Sequence, residues 1–376
     1  MNKLSIGYLK REKVSDISSL SQEQTLGWQI ESYKFPEIWA QTKGETVKIA
    51  ILDTAVDLNH PDIEIKGGWD FTKNQELSNE TPVEGHGTHV AGIIGAKDNN
   101  QGIVGVAPEA ELYSCAVLGD DGSGSYDWII SAIDWCIENK MDVINMSLGG
   151  GKDTSELYEA NRRAYDAGLP LICAAGNSSW ETGHLDYLAS YNESIAVASI
   201  NKYMMRSSFS SIGPNIDLAA PGSDILSCTP NNTYSVYSGT SMATPFVTGL
   251  VALMISKHRT KGGNSPVKCV EDVREHLIGT AHDANYDGQD NYTGHGLVNP
   301  FGVINKEAKE EQEKIITYKE LIEGIKVHFE DKTDLFGDEW QELFLNLGIK
   351  KNTLNSIMAG EIKELKFTDD EISKAL

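Results

Sequence analysis

The chain has 376 residues, with 32 Lys and Arg against 55 Asp and Glu, a net charge of −23, 40% apolar residues and five cysteines. At roughly 150 residues per domain this allows two or three domains, or one large α/β domain with additions. A surface this acidic repels phosphate backbones and anionic lipid, which argues against nucleic acid or a membrane surface as the principal partner.

Residues 1–25 are polar and charged with one apolar cluster at Leu4, Ile6, Tyr8 and Leu9, and read as a loosely attached arm. They lack the apolar stretch and small-residue cleavage site of a secretory signal. No run approaches about 18 consecutive apolar residues, so a cytoplasmic protein without a membrane anchor is expected. From about residue 47, apolar runs of strand length alternate with helical patterns. Strands are predicted at 47–52, closing at Asp53, at 112–118, at 143–146, closing at Ser147, and at 171–175, closing at Gly176 and Asn177. Helices are predicted at 126–139, 154–167 and 241–258, with another running from Ser265 and Pro266 toward Ile278. This alternation predicts an α/β fold, a mostly parallel central sheet flanked by helices. In such sheets the ligand site lies beyond the carboxyl ends of the strands. The odd cysteine count, with Cys115 and Cys173 inside apolar runs, suits reduced buried thiols better than a disulfide framework. From Lys306 the Glu/Lys-rich periodicity at 306–324, 338–347, 353–362 and 367–376 predicts a small helical C-terminal extension.

Four segments hold the residue types that acyl transfer requires. In 51–62 (I-L-D-T-A-V-D-L-N-H-P-D), Asp53 closes a strand, where a carboxylate can accept from imidazole Nδ1 and fix its tautomer. In 85–96 (G-H-G-T-H-V-A-G-I-I-G-A), His86 stands at the first turn of a tightly packing helix, as a candidate general base. His86 and His89 are spaced i, i+3, but no Glu lies between them and no carboxylate follows at ligand spacing, so zinc is disfavoured and His89 reads as a packed neighbour. In 171–177 (L-I-C-A-A-G-N), Asn177 leaves a buried strand with its amide free to donate to an oxyanion. In 238–245 (S-G-T-S-M-A-T-P), Ser241 begins a long helix whose dipole favours negative charge, and Pro245 is expected early enough for its missing N–H to cost little. Any one of these segments has an ordinary structural explanation, such as a turn or an N-cap; all four together do not.

With D-T-x-x-D, H-G-T-H-V-A-G, A-A-G-N and G-T-S-M-A-T-P in that order, the sequence resembles the subtilisin family of serine proteases over about residues 26–304, and the intracellular subtilisins most. The resemblance implies a three-layer subtilisin-like fold. It also implies a serine endopeptidase acting on peptide or protein substrates, with Ser241 as nucleophile, His86 as base, Asp53 as orienting carboxylate and Asn177 in the oxyanion hole. Ser147, Leu148, Gly149 and Gly150 would align an extended peptide, and Ala174, Ala175 and Gly176 would wall the pocket for the residue before the scissile bond. A structural calcium ion would take oxygens from Asp62, Lys97, Asn99, Gln101 and Ile103, with Gln22 reaching over from the arm.

Three departures from the family pattern stand out. Ala55 replaces a glycine beside the Asp turn, and Leu188 replaces a proline, so the cis-proline turn there is expected to be absent. Counting back from Tyr187 puts Asp186 at the pocket floor, where a carboxylate would favour Lys or Arg. The arm is similar to the short extension that covers the active site of intracellular subtilisins until it is clipped, although 4–9 (L-S-I-G-Y-L) lacks that motif's proline. The arm is expected to hold the full-length enzyme inactive. Two alternatives stay open at this point: a protease dedicated to one precursor or partner protein, and a peptide-binding pseudoprotease. The second is disfavoured because all four site residues are present.

Overall fold

The computed structural model describes residues 3–5, 10–13, 24–150, 152–179, 184–260, 269–305, 313–317 and 364–368. Strands β1 (Lys3–Ser5) and β2 (Lys10–Lys13) belong to the arm, and two short helices follow, α1 (Trp28–Ser32) and α2 (Phe35–Trp39). The core begins with β3 (Lys48–Asp53), β4 (Ile65–Asp70), α3 (His86–Gly95), β5 (Glu111–Ala116), β6 (Ser123–Ser125) and α4 (Tyr126–Glu138). It continues with β7 (Val143–Met146), α5 (Ser155–Asp166), β8 (Leu171–Ala174), β9 (Ile195–Ile200) and β10 (Leu218–Pro221). The hairpin β11 (Ile225–Thr229) and β12 (Thr233–Ser238) leads into the long helix α6 (Thr240–Thr260), then α7 (Val270–Ile278) and α8 (Pro300–Asn305). Two strands of the C-terminal segment, β13 (Glu313–Thr317) and β14 (Glu364–Thr368), complete the description.

Seven strands form one parallel sheet in the order β10-β9-β8-β7-β3-β5-β4. Strands β7, β8 and β9 are buried along their whole length, which is why V-I-N-M, L-I-C-A and I-A-V-A-S-I read as continuous apolar or small-residue runs without alternation. Helices α4 and α5 start at Ser125 and Thr154, whose hydroxyls accept from the N–H groups of Trp128 and Leu157. The chain order reverses at β3, with β5 and β4 on one side and β7 onward on the other. The crevice beyond the ends of β3 and β7 is therefore the topological switch point, and Asp53 and Ser147 stand on its two lips.

All ten residues of α3 are buried. That depth depends on small residues: a methyl group on Gly87 would lie 2.2 Å from the Thr54 carbonyl oxygen, and one on Gly92 would lie 2.4 Å from Ser227 Oγ. Cys115, Cys136, Cys173 and Cys228 are free and buried, and Cys269 is free and exposed. Among the described residues no helix is long and apolar enough to cross a membrane.

The structure corrects the sequence reading in two places. The helical periodicity over 306–324 and 367–376 gives way to an antiparallel ladder where the segment is described, Glu313 pairing with Thr368 and Thr317 with Glu364. Two adjacent β-branched residues, Ile315 and Ile316, and the aromatic Phe367 favour strand locally, whereas the Glu/Lys pattern reflects only solubility. The rest of the extension lies outside the described residues. Secondly, α6 opens at Thr240, so Pro245 falls past the first turn, where its missing N–H removes a helical bond to the Ser241 carbonyl. Ser147 Oγ donates to that carbonyl instead, at 2.9 Å.

Candidate active site

Asp53 and His86 are both completely buried, and His86 Nδ1 lies 2.7 Å from Asp53 Oδ1. The same oxygen accepts from the Thr54 N–H at 2.7 Å. A carboxylate can only accept, so the neutral imidazole carries its proton on Nδ1 and offers a lone pair at Nε2. Among the described residues Nε2 has no hydrogen-bond partner. Thr54 Oγ1 accepts from the Gly87 N–H at 2.9 Å, which ties the end of β3 to the first turn of α3 and fixes the Asp–His separation. His89 faces the hairpin instead: Nε2 donates to the carbonyls of Ile225 and Ser235 at 3.1 Å each, and its ring stacks on Tyr237 at 4.2 Å.

Ser241 is the second residue of α6, so its N–H is among those without an intrahelical acceptor. Its Oγ donates to the Ser147 carbonyl at 3.0 Å rather than to His86. Ser147 is itself pinned, because Asn145 Nδ2 donates to its Oγ at 3.0 Å and Thr248 on α6 donates to Asn145 Oδ1 at 2.9 Å. The nucleophile candidate and the proposed peptide-aligning segment are thus joined from both sides.

Asn177 follows the buried run Ala174, Ala175 and Gly176. Its Oδ1 accepts from the Thr240 N–H at 2.8 Å and from Thr240 Oγ1 at 3.1 Å. Because the Thr240 N–H can only donate, the amide orientation is fixed, and Nδ2 is left to donate elsewhere. Gly176 N–H donates to Thr240 Oγ1 at 3.1 Å, closing the network. Thr240 is not singled out in the sequence; its place directly before Ser241 and the reach of its hydroxyl make it the residue that aims Asn177.

Asp186 lies between the segments 147–150 and 174–177. Its N–H donates to the Ala175 carbonyl at 3.1 Å and the Tyr187 N–H donates to the Gly150 carbonyl at 2.9 Å. No peptide bond is cis among the described residues, and Leu188 takes φ 87°, a left-handed conformation that a leucine adopts at a cost of about 1–3 kcal/mol. Burial pushes the Asp186 carboxyl up to about 6, against the opposing pull of His184.

The loop after α3 closes around Asp62. Asp62 Oδ1 accepts from Asn99 Nδ2 at 3.0 Å, and Oδ2 accepts from the Ile103 N–H at 3.0 Å and Tyr234 OH at 2.8 Å. Gln22 falls outside the described residues. The side chain that reaches the loop is Gln24, whose Nε2 donates to the carbonyls of Lys97 at 2.9 Å and Ile103 at 3.2 Å. Two carbonyl oxygens from the ends of one loop thus converge on the Gln24 amide; oxygens of this kind suit a hard cation, and among the described residues no group of three or more His, Cys, Asp or Glu gathers to hold one. Gln101 contributes its N–H to Asn99 Oδ1 at 3.1 Å.

The arm supplies backbone pairing near this centre. Strand β1 pairs antiparallel with β6, Lys3 opposite Ser125 and Ser5 opposite Ser123. Strand β2 pairs with β12, Lys10 opposite Ser238, three residues before Ser241. The sequence reading missed β6 as a pairing edge because S-G-S carries no apolar alternation.

Comparison with known proteins agrees with this arrangement. Residues 44–296 match the family model described as the Subtilase family. The chain is 47% identical over 232 residues to the intracellular serine protease of Paenibacillus polymyxa, which covers 60% of this chain and 71% of that protein. It is 45% identical over 260 residues to the major intracellular serine protease of Bacillus subtilis (strain 168), covering 67% and 80%. With subtilisin E of the same strain it shares 41% over 298 residues, covering 78% and 74%. The buried Asp–His pair, the serine at the head of α6 and the matched span together make this chain a member of the subtilase family, a subtilisin-like serine endopeptidase.

Proposed function

We propose that Ser241, His86 and Asp53 carry out the hydrolysis of peptide bonds, with Asn177 and the Ser241 N–H stabilising the oxyanion. The observation that carries this reading is the buried Asp53–His86 hydrogen bond of 2.7 Å with Nε2 unpaired beside it. In the reaction Ser241 Oγ turns from the Ser147 carbonyl to Nε2, gives up its proton there and attacks the substrate carbonyl. The negative oxygen receives Asn177 Nδ2, whose direction Thr240 fixes. Collapse breaks the C–N bond, the proton passes from His86 to the leaving amine, and water repeats the sequence on the acyl-enzyme. Labelling by a fluorophosphonate, abolished in Ser241→Ala, is the expected result; a label that persists in that variant would refute the assignment.

The peptide is aligned by Ser147, Leu148 and Gly149, and the pocket for the residue before the scissile bond is walled by Ala174, Ala175 and Gly176. Leu148 and Ala175 are buried and Gly176 takes φ 108°, which suits a wall built mainly of backbone. The arm restrains the enzyme: a segment already paired to β6 and β12 competes for the backbone edges that flank the crevice. A chain beginning at Gln24 should therefore turn over casein from the first minute, while the full chain shows a lag; equal initial rates would remove the inhibitory role. A calcium ion would be held by Asp62, Asn99 and the carbonyls of Lys97, Gln101 and Ile103, with Gln24 in the role expected of Gln22. Its chemistry would be to lock the loop after α3. The enzyme acts in the cytoplasm, a reading supported by two relatives that are themselves named intracellular serine proteases. Nothing described favours a single dedicated substrate.

A further inference from the structure

The Asp186 carboxylate occupies space that two glycines leave open. A methyl group on Gly149 would lie 2.3 Å from its Oδ2, and one on Gly176 would lie 2.9 Å from its Cγ. Gly149 is two residues beyond Ser147, whose carbonyl holds the Ser241 hydroxyl, and Gly176 directly precedes Asn177. The carboxylate therefore sits between the strand expected to align the peptide and the amide expected to hold the oxyanion. Its own N–H is pinned to the Ala175 carbonyl and that of the next residue, Tyr187, to the Gly150 carbonyl, so the backbone that carries the carboxylate is fixed between the two segments. Among the described residues no N–H or O–H donor pairs with the carboxylate. The packed segments 147–150 and 174–177 carry no titratable side chain, and Ser211, whose Oγ approaches Gly176, is neutral. The titratable neighbour is His184, on the same segment.

A mostly buried carboxylate without a paired donor is costly, and the cost is relieved by a ligand that brings a cationic donor into the pocket. We propose that Asp186 is a specificity-determining residue that selects a lysine or arginine side chain immediately before the scissile bond. The inference rests on the assignment of Ser241 as nucleophile and of 147–150 as the aligning segment. An apolar side chain entering the same pocket would bury the carboxylate further without pairing it, so discrimination comes as much from rejection of Leu and Phe as from attraction of Arg.

The test uses the full chain and two fluorogenic peptides that differ only in carrying Arg or Leu before the cleaved bond, with active sites counted by fluorophosphonate labelling. At pH 8 the ratio of kcat/KM, Arg over Leu, should exceed about 10, as expected for a charge-assisted pair formed out of water. The ratio should fall as the pH is lowered through about 6, because kcat/KM reports the free enzyme and protonation of Asp186 removes the charge. Any group that serves both substrates alike cancels in the ratio. Asp186→Asn should lower the ratio between about 10- and 100-fold. Should that variant fail to fold, benzamidine as a competitive inhibitor of the parent reads the same carboxylate, with inhibition expected to weaken below pH 6. A parent that labels normally but cleaves the Leu peptide as fast as the Arg peptide overturns the specificity proposal while the Ser241 assignment stands. A chain that, once the lag imposed by the arm has run out, still cleaves neither peptide and takes no label at Ser241 overturns both.

Discussion

The carboxylate that would recognise a basic side chain should also weaken the fold that carries it. Moving the Asp186 carboxyl from its usual 3.8 to about 6 by burial corresponds to about 3 kcal/mol in favour of the protonated form. Some solvent contact remains, so this is an upper figure. The folded state holds this proton more tightly than the unfolded state does. Stability is therefore lost as the pH rises from about 4 to about 6, and the full cost persists above that range. Asp186→Asn removes the charge, so it should stabilise the protein at pH 7.5 by up to about 3 kcal/mol and leave it nearly unchanged at pH 4. For a core of this size that gain amounts to about 5–10 °C in Tm. Asp217, also pushed to about 6 by burial against the pull of Arg274, titrates in the same window but is common to both proteins and cancels in their difference. The measurement is calorimetry or urea unfolding from pH 4 to 8 in a Ser241→Ala background, which prevents autolysis. A stability difference that does not vary with pH, or a variant less stable at pH 7.5, would refute the reasoning.

Asn177→Ala should lower kcat by about 10²–10³ with little change in KM, the loss familiar from subtilisin oxyanion holes rather than a value worked from this geometry; steady-state kinetics on one peptide decides it. Chelation of divalent cations with EDTA should lower Tm and speed autolysis, and Asn99→Ala should blunt the response to added calcium; a melt indifferent to EDTA and calcium would refute the cation site. Under native conditions one thiol per chain, Cys269, should react promptly with a disulfide reagent, and four more only on unfolding. Burial also pushes the Cys173 thiol up to about 12, away from its reactive thiolate.

Strands β3, β7 and β8 were legible because burial on both faces writes them as unbroken apolar runs ending in polar turns, and the helix after Asn139 fell within a residue of its caps. The hairpin β11–β12 was not, since I-L-S-C-T and T-Y-S-V-Y-S mix polar and apolar residues on a surface that packs partly against α3. The four site segments were legible because each carries a chemically necessary residue within a fixed flanking pattern. What escaped were the supports: Thr240, whose hydroxyl serves two partners, and Gln24, two positions from the glutamine expected. Such roles depend on which backbone groups converge in space, and no local pattern encodes that convergence. That no donor among the described residues pairs with the Asp186 carboxylate was likewise invisible, because the neighbours its oxygens meet, Gly149 and Gly176, lie on other segments and carry no side chain.

Pro245 deprives the Ser241 carbonyl of its helical donor, and Ser147 takes the vacant place. A residue that would ordinarily be a fault in a helix acts here as a coupling. The hydroxyl of Ser147 grips the backbone of Ser241 while the carbonyl of Ser147 holds its side chain. On the proposed role of 147–150, a peptide that seats there and shifts Ser147 would tug on both ends of Ser241 at once. Docking and arming would then be one mechanical event, and a poorly seated chain would meet a serine still parked on its own enzyme.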